Sequence, residues 1–239
     1  MNFFLDGFEQ AWELISSRDP FLMHLLRITL QVVAISTGAA LLLGLPIGLA
    51  LGLGRFRGRG GLVVLANAGL GLPPVVIGLI LALLMFPQAP LGRFDLLFTL
   101  KGVYIAQTCL ALPVVVALTI SAVRELAPGL LDQARAFGAG PFAMARLALR
   151  EARIGVLAAT IAAVGSGLSE VGAIVLVGGN IRGYDQTLAT AALESVGAGR
   201  YAEGMAIGII LLGLIVVISG LLTWLQYGRV RYQRGWSAS

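Results

Sequence analysis

The chain has 239 residues, of which 58% are hydrophobic and only 12% are charged, with a mean hydropathy of +0.91. A soluble domain carries about a quarter charged residues, so this deficit excludes an ordinary soluble protein and indicates a polytopic membrane protein. The net charge is +5, but the basic residues are scattered along the chain, which excludes a nucleic-acid surface. Cys109 is the single cysteine and His24 the single histidine, which excludes a disulfide framework and a metal cluster built on these residue types.

The first eighteen residues are predicted to form an amphipathic helix on the membrane surface. Phe3, Phe4, Phe8, Trp12 and Ile15 recur at about helical spacing, with acidic and polar residues between them. This pattern is typical of a helix that lies in the interface with its apolar face against the lipid. A frayed polar terminus is the alternative.

Five apolar stretches are long enough to cross the bilayer, which takes about 20 residues per helix. They are 25–54, 61–86, 102–123, 154–178 and 203–227. Eleven of the seventeen basic residues fall in the loop 55–60, the segment 124–153 and the tail from 228 onward. The positive-inside rule places these three segments in the cytoplasm and the N-terminus outside. The sequence therefore predicts an all-α polytopic membrane protein whose single transmembrane domain covers 1–239 and whose C-terminus is cytoplasmic.

The fourth apolar stretch contains a carboxylate, Glu170. A carboxylate at mid-helix costs about 2.5–3.5 kcal/mol on insertion scales, so it should face protein or water rather than lipid. Ser166 and Ser169 share roughly one helical face with it. This face is predicted to line a pore or to form a seam between helices, and the pattern leaves both readings open.

Residues 178–202 are predicted to form an extracytoplasmic loop between the last two spans. Asp185 or Thr187 is suited to cap a short helix that closes at Gly197. Such a helix could line a vestibule or dock a partner, and an ordinary surface connector is the alternative.

The segment 124–153 interrupts the apolar sequence and is predicted to be a helical hairpin at the membrane surface. A helix over 130–137 is followed by Gly138-Ala139-Gly140, which permits a sharp turn, and Pro141 is well suited to the first position of a second helix. Phe137 belongs to an apolar patch on the first helix. The hairpin is too short to be a catalytic domain, and a docking element for another protein explains both the turn and the apolar patch.

Three arginines after the turn, Arg146, Arg150 and Arg153, are spaced i, i+4, i+7 and are predicted to form one basic stripe. Anchoring to anionic lipid, worth about 1 kcal/mol for each arginine near the surface, explains this stripe. Anchoring alone explains neither the turn nor the apolar patch.

The stretch DQARAFGAG resembles the EAA loop of ATP-binding-cassette (ABC) importer permeases, which reads Glu-Ala-Ala, three further residues and then Gly. Asp132, Gln133 and Ala134 stand at the first three positions and Gly138 at the glycine, with Asp in place of Glu and Gln in place of one Ala. Three further stretches resemble the tungstate permeases, which are close relatives of the molybdate and sulfate permeases. They are LPPVVIGL (72–79), LREARIGVLAA (149–159) and SEVGAIVLVGGNIRG (169–183).

The resemblance implies a MetI-like ABC permease fold and a homodimer of this chain in the cell (inner or plasma) membrane. Two copies of an ATP-binding subunit would bind the hairpin and use ATP and Mg, and an extracytoplasmic solute-binding protein would deliver the cargo. The chain itself is expected not to be an enzyme and to carry no cofactor or metal. It lacks a Gly-rich phosphate loop with GK[ST], which is consistent with ATP hydrolysis by the partner subunit. The residues that the resemblance assigns to ATPase coupling are Asp132, Gln133, Ala134, Arg135, Phe137, Gly138, Ala139 and Gly140.

The implied cargo is a tetrahedral oxyanion, tungstate first, with molybdate and sulfate as alternatives. An ionised Glu170 would repel a divalent oxyanion in a low-dielectric channel, so we expect it to act in a gate or an inter-helix network, paired with an arginine, rather than to bind the anion. The neutral donors predicted for the translocation path are Ser166, Ser169, Thr108 and Asn180.

Three function classes compete with this interpretation. One is a purely structural assembly subunit, which would not need the cytoplasmic hairpin. An ion-coupled secondary transporter usually shows internal repeats, and none is evident here. An intramembrane serine hydrolase would need a base near Ser166 or Ser169, whereas His24 lies at the outer start of the first span.

Overall fold

A computed structural model describes residues 3–127 and 129–234, with side chains over 5–127 and 129–226. Every regular element in these ranges is helical, which confirms the all-α prediction. The side chains of Phe3 and Phe4, and those of the arginines in the tail, lie outside the described ones.

The described residues form eleven α-helices and one 3-10 helix. In chain order they are α1 Phe3–Ser16, α2 Pro20–Leu53, α3 Arg59–Gly69, α4 Pro74–Met85, a 3-10 helix Gly92–Phe94, α5 Leu100–Arg124, α6 Leu130–Ala136, α7 Pro141–Glu151, α8 Arg153–Ser169, α9 Gly172–Gly178, α10 Leu188–Gly197 and α11 Tyr201–Arg234.

Three helices, α2, α5 and α11, are long and apolar enough to cross a membrane without interruption. Two helix pairs pass the same test only when taken together: α3 with α4, bent by 104°, and α8 with α9, bent by 62°. The five predicted apolar stretches are therefore present as three continuous helices and two bent pairs. The stretches 61–86 and 154–178 each contain a break, and they give five spans when each bent pair is counted as one.

The break between α3 and α4 follows from two consecutive prolines. Pro74 is the first residue of α4, where its missing N–H costs nothing, and Pro73 before it adopts an extended ψ of 120°. A proline also disfavours helical geometry in the residue that precedes it. The apolar stretch is thus continuous in composition but cannot be continuous in backbone.

Packing of the backbone divides the chain into two compact units. The first comprises Met1–Ser36, Pro73–Thr108 and Val164–Ser219, and the second comprises Thr37–Leu72, Cys109–Ala163 and Gly220–Ser239. In the first unit α4 packs closely on α9, because Gly78 has no side chain: a Cβ there would lie 2.6 Å from the Cα of Ala173. The interpretation of the chain as one permease domain stays a prediction.

In the second unit a run of small residues on α2 packs against α5. A Cβ added at Gly44, Gly48 or Gly52 would lie 2.8, 2.6 or 2.9 Å from the nearest atom of Val115, Thr119 or Val123, respectively. These distances are shorter than real carbon–carbon contacts, so the glycines allow the two helices to approach closely.

Gly48→Ala is expected to destabilise the protein by about 1–3 kcal/mol, because the added methyl overlaps the side chain of Thr119. Gly38→Ala, on the same helix, is the matched control: nothing lies within 4 Å of its added Cβ, so the higher helix propensity of alanine should be neutral or stabilising. Thermal unfolding in detergent measures both effects. Equal midpoints for the two variants would contradict close packing at Gly48.

Candidate functional site

Helices α6 and α7 form the predicted hairpin, with its turn where the sequence places it. Gly138 has φ +81°, a left-handed conformation that favours glycine, and follows directly after Phe137, the C-cap of α6. Gly140 is extended (φ −72°, ψ 172°) and Pro141 is the first residue of α7. The turn therefore depends on local sequence chemistry.

The outer surface of the hairpin is open to solvent. Phe137 is 91% exposed and Phe142, at the start of α7, is 83% exposed. Arg135 and Asp132 form an exposed ion pair of 2.8 Å between Nη1 and Oδ1. The other predicted coupling residues lie on the same helix and turn, and they are Gln133, Ala134, Gly138, Ala139 and Gly140. An exposed phenylalanine beside a charged pair has the composition of a docking surface.

The inner surface of the hairpin is anchored to two long helices. Ala148 of α7 and the adjoining Ala152 are buried in one apolar cluster with Leu49 of α2 and Ala122 of α5. Because interiors are close-packed, a force on the hairpin would be transmitted to α2 and α5 through these contacts.

The predicted basic stripe is only partly present. Arg146 and Arg150 lie on α7, but α7 ends at Glu151 and Arg153 begins α8. The stripe is interrupted because Ala152 leaves the helical backbone (φ −79°, ψ 7°), so the i, i+7 spacing does not continue on one helix.

Glu170 was expected inside the fourth span, nearer its outer end, and it lies in the break between α8 and α9 rather than within a continuous helix. Its carboxylate Oε1 accepts a hydrogen bond of 3.0 Å from the backbone N–H of Ala173. The partner that the structure gives Glu170 is thus a backbone amide rather than an arginine. A carboxylate that takes up an amide left open by a helix break is favourable there.

The hydroxyls predicted for the path are largely engaged with their own helices. Ser169 Oγ donates to the carbonyls of Gly165 and Ser166, both at 3.2 Å, and Thr108 Oγ1 donates to the carbonyl of Tyr104 at 2.7 Å. Ser166, like Ser169, is exposed on α8. The face that Ser166 and Ser169 were predicted to share with Glu170 ends at Ser169, because α8 ends there.

Asn180 belongs to a polar network in the loop between α9 and α10. It adopts a left-handed φ of 56°, and its Nδ2 donates to Glu194 Oε2 of α10 at 2.8 Å. Gln186, 1% exposed, donates to the same oxygen. The structure therefore gives Asn180 a role in fixing the loop.

Of the two residues proposed to cap α10, Thr187 is the cap. Its backbone N–H donates to Thr190 Oγ1 at 2.9 Å, and the N–H of Thr190 donates back to Thr187 Oγ1 at 3.3 Å. This reciprocal capping box starts the helix at Leu188, and the helix closes at Gly197 as predicted.

Asp185 is instead buried within the loop, outside the membrane-spanning helices. It is 0% exposed, and its carboxylate accepts a hydrogen bond from the backbone N–H of Ile181. Burial raises the pKa of this carboxyl above its ordinary value, although the surrounding backbone amides oppose the shift.

The raised pKa of Asp185 predicts that folding stability falls as pH rises. The stabilisation is fully present below the ordinary aspartate pKa of about 3.9 and is lost as pH rises through the higher folded-state pKa. Asp185→Asn cannot ionise, so its unfolding midpoint in detergent should fall less than that of the wild type over this interval. All other carboxylates titrate in both proteins, so parallel pH profiles would contradict the prediction.

Comparison with known proteins decides the family. The family described as binding-protein-dependent transport system inner membrane component matches residues 44–231. The chain belongs to this family. Membership confirms the ABC importer permease resemblance and excludes an ion-coupled secondary transporter and an intramembrane hydrolase.

Individual relatives of this permease match over most of their length. A probable anion ABC transporter permease protein of Haloferax volcanii is 40% identical over 208 residues, which cover 84% of this chain and 90% of that protein. A tungstate uptake system permease protein of Peptoclostridium acidaminophilum is 28% identical over 226 residues, covering 95% and 99%. A chain of the inward-facing MetNI methionine ABC transporter superposes with a TM-score of 0.64 at 24% identity, covering 90% of this chain and 98% of that one. This last likeness shows the fold alone and confirms the predicted MetI-like fold.

Two further residues of the permease make hydrogen bonds that sequence reasoning missed. Glu194 receives two amide donors but lies fourteen residues after Asn180, a separation that carries no periodic signal. Arg59 was counted only among the basic residues that set the orientation of the chain in the membrane. Its Nε donates a hydrogen bond of 2.6 Å to the carbonyl of Leu51 and so caps the C-terminus of α2.

Proposed function

We propose that this permease forms the translocation path of an ATP-driven importer for a tetrahedral oxyanion, with tungstate as the first choice and molybdate and sulfate as alternatives. The observation that carries the substrate class is the 40% identity, over 84% of the chain, to a probable anion ABC transporter permease. The tungstate assignment is finer and is supported by the relative named for tungstate uptake. All three candidates are tetrahedral dianions, so the same donors would serve each of them.

The proposed complex contains two copies of this chain, two copies of an ABC ATP-binding subunit that uses ATP and Mg, and an extracytoplasmic solute-binding protein. The exposed hairpin of α6 and α7 supports the ATPase contact, because it offers an apolar residue, Phe137, that is 91% exposed. The N-terminus is outside, with 1–18 on the membrane surface, and 124–153 and the C-terminus are cytoplasmic. The loop 178–202 then faces the binding protein.

In this proposal neutral donors carry the anion, and Glu170 acts at a gate. The hydroxyls of Ser169 and Thr108 each have one proton, which they now donate to a helix carbonyl. Contact with the anion therefore requires each hydroxyl to rotate away from its helix, as small hydroxyls can. Ser166 and Asn180 complete the proposed donor set.

Reconstitution tests the substrate. The permease, its ATPase and its binding protein are placed in proteoliposomes, and ATP hydrolysis is measured with tungstate, molybdate or sulfate. We expect tungstate to stimulate hydrolysis at the lowest concentration, and vesicles without binding protein to show no stimulation. Failure of all three anions to stimulate hydrolysis would overturn the oxyanion proposal, and a lower half-maximal concentration for molybdate or sulfate would reassign the cargo.

A further inference from the structure

A small polar cavity of about 260 Å³ lies at the ends of α2 and α5. Its lining is strongly basic, with four arginines and one acid, and these are Arg55, Arg59, Arg124, Arg135 and Asp132. The cavity therefore favours an anion.

Two of the four arginines are already engaged, and two are not. Arg59 donates to the carbonyls of Leu51 and Gly52 at 2.6 and 3.3 Å, and Arg135 pairs with Asp132 at 2.8 Å. Within the described residues, the side chains of Arg55 and Arg124 have no hydrogen-bond or ion-pair partner. Two guanidinium groups thus remain for a ligand, and guanidinium groups bind phosphate oxygens in a bidentate manner.

A much larger apolar groove adjoins this cavity. It has a volume of about 790 Å³ and lies between α2 and α7. Its walls are mainly apolar, and they include Pro46, Leu49, Leu53, Phe142, Met144 and Leu149. Leu53, Gly54 and Arg135 line both spaces, so the basic cavity and the apolar groove adjoin each other at these three residues.

We propose that the cavity and groove together bind one anionic phospholipid, with the phosphate beside Arg55 and Arg124 and an acyl chain along the groove. A basic cavity beside an apolar groove favours a ligand that has both an anionic group and an apolar chain. A free oxyanion would not contact the groove, and an uncharged lipid would leave the arginines without a counter-charge. The position of the cavity along the membrane normal fits a lipid headgroup. Leu53 ends α2 and Arg124 ends α5, and the ends of membrane-crossing helices reach the headgroup layer. Basic pockets between helices at the cytoplasmic surface bind acidic headgroups in this way.

The test uses the full-length permease, purified in detergent and stripped of lipid. Native mass spectrometry follows titration with dioleoyl phosphatidylglycerol, dioleoyl phosphatidylcholine or inorganic phosphate. We expect phosphatidylglycerol to bind more tightly than phosphatidylcholine. Replacing both Arg55 and Arg124 with glutamine should lower the affinity for phosphatidylglycerol by about five-fold for each arginine. Arg57→Gln, in the same loop but lining neither space, is the matched control and should bind as the wild type does.

A second variant tests the groove independently of charge. Ala50→Trp places a large side chain in the groove from α2. It should lower the affinity for phosphatidylglycerol without changing the affinity for inorganic phosphate. Leu42→Trp is its control, because Leu42 is 76% exposed on the same helix and does not line the groove. Size-exclusion profiles establish that each variant is folded.

Three results would overturn the lipid site. Phosphatidylcholine could bind as tightly as phosphatidylglycerol. Inorganic phosphate could displace phosphatidylglycerol while Ala50→Trp has no effect, which would indicate a site for free anions. The double arginine variant could bind phosphatidylglycerol normally and lose only its affinity for the ATPase subunit, which would assign the cavity to a protein contact. None of these readouts depends on the transported anion, so they are separable from the proposed function.

Discussion

Phe137→Asp is expected to weaken binding of the ATPase subunit by about 30- to 1,000-fold while the permease stays folded, because an aromatic anchor at an interface contributes about 2–4 kcal/mol. The side chain is 91% exposed. Its removal therefore costs little within the chain itself.

The measurement is the affinity of the purified permease for its ATPase subunit, together with the unfolding midpoint of the permease alone. Leu193→Asp is the control, because Leu193 is 58% exposed on α10, in the loop predicted to face the other side of the membrane. It carries the same apolar-to-acidic change without touching the hairpin. If Phe137→Asp and Leu193→Asp bind the ATPase equally well, the hairpin is not the docking element.

The hairpin was predictable because its determinants are local. Gly138 with positive φ and Pro141 at the first position of α7 are features that neighbouring residues specify by themselves. The capping of α10 by Thr187 is of the same kind, since its partner Thr190 is three residues away. Such features do not depend on contacts with distant parts of the chain.

The bend between α8 and α9 and the loop network were not predictable for the opposite reason, whereas Pro73-Pro74 marks the break between α3 and α4 in the sequence itself. Hydropathy averages over a window and cannot register a bend of 62° between α8 and α9. The position of Glu170 at that bend depends on packing elsewhere: a Cβ at the adjacent Gly172 would lie 2.5 Å from the side chain of Val75 on α4. Partners that are close in space but distant in sequence leave no periodic signal.

Glu170→Ala is expected to reduce anion transport per ATP hydrolysed by about 5- to 150-fold. The carboxylate accepts the N–H of Ala173 at the break in the fourth span. Alanine leaves that amide unpaired away from bulk water, a cost of about 1–3 kcal/mol, which changes an equilibrium between two conformations by about 5- to 150-fold. If the gate bends at this break, losing the hydrogen bond destabilises only the conformation that contains it. The balance between the two conformations of the gate then changes.

Glu170→Gln separates the hydrogen bond from the charge. Glutamine keeps an oxygen acceptor for Ala173 but makes a neutral bond, which is weaker by about 1 kcal/mol than one to a carboxylate. Coupling should therefore fall by about five-fold, between the wild type and the alanine variant. Glu203→Gln is the control, because it removes a carboxylate from the partly exposed pair with Arg200, where a charge contributes little. Wild-type coupling in Glu170→Gln would refute a gate that needs the charge, and wild-type coupling in Glu170→Ala as well would show that the bend does not depend on this bond.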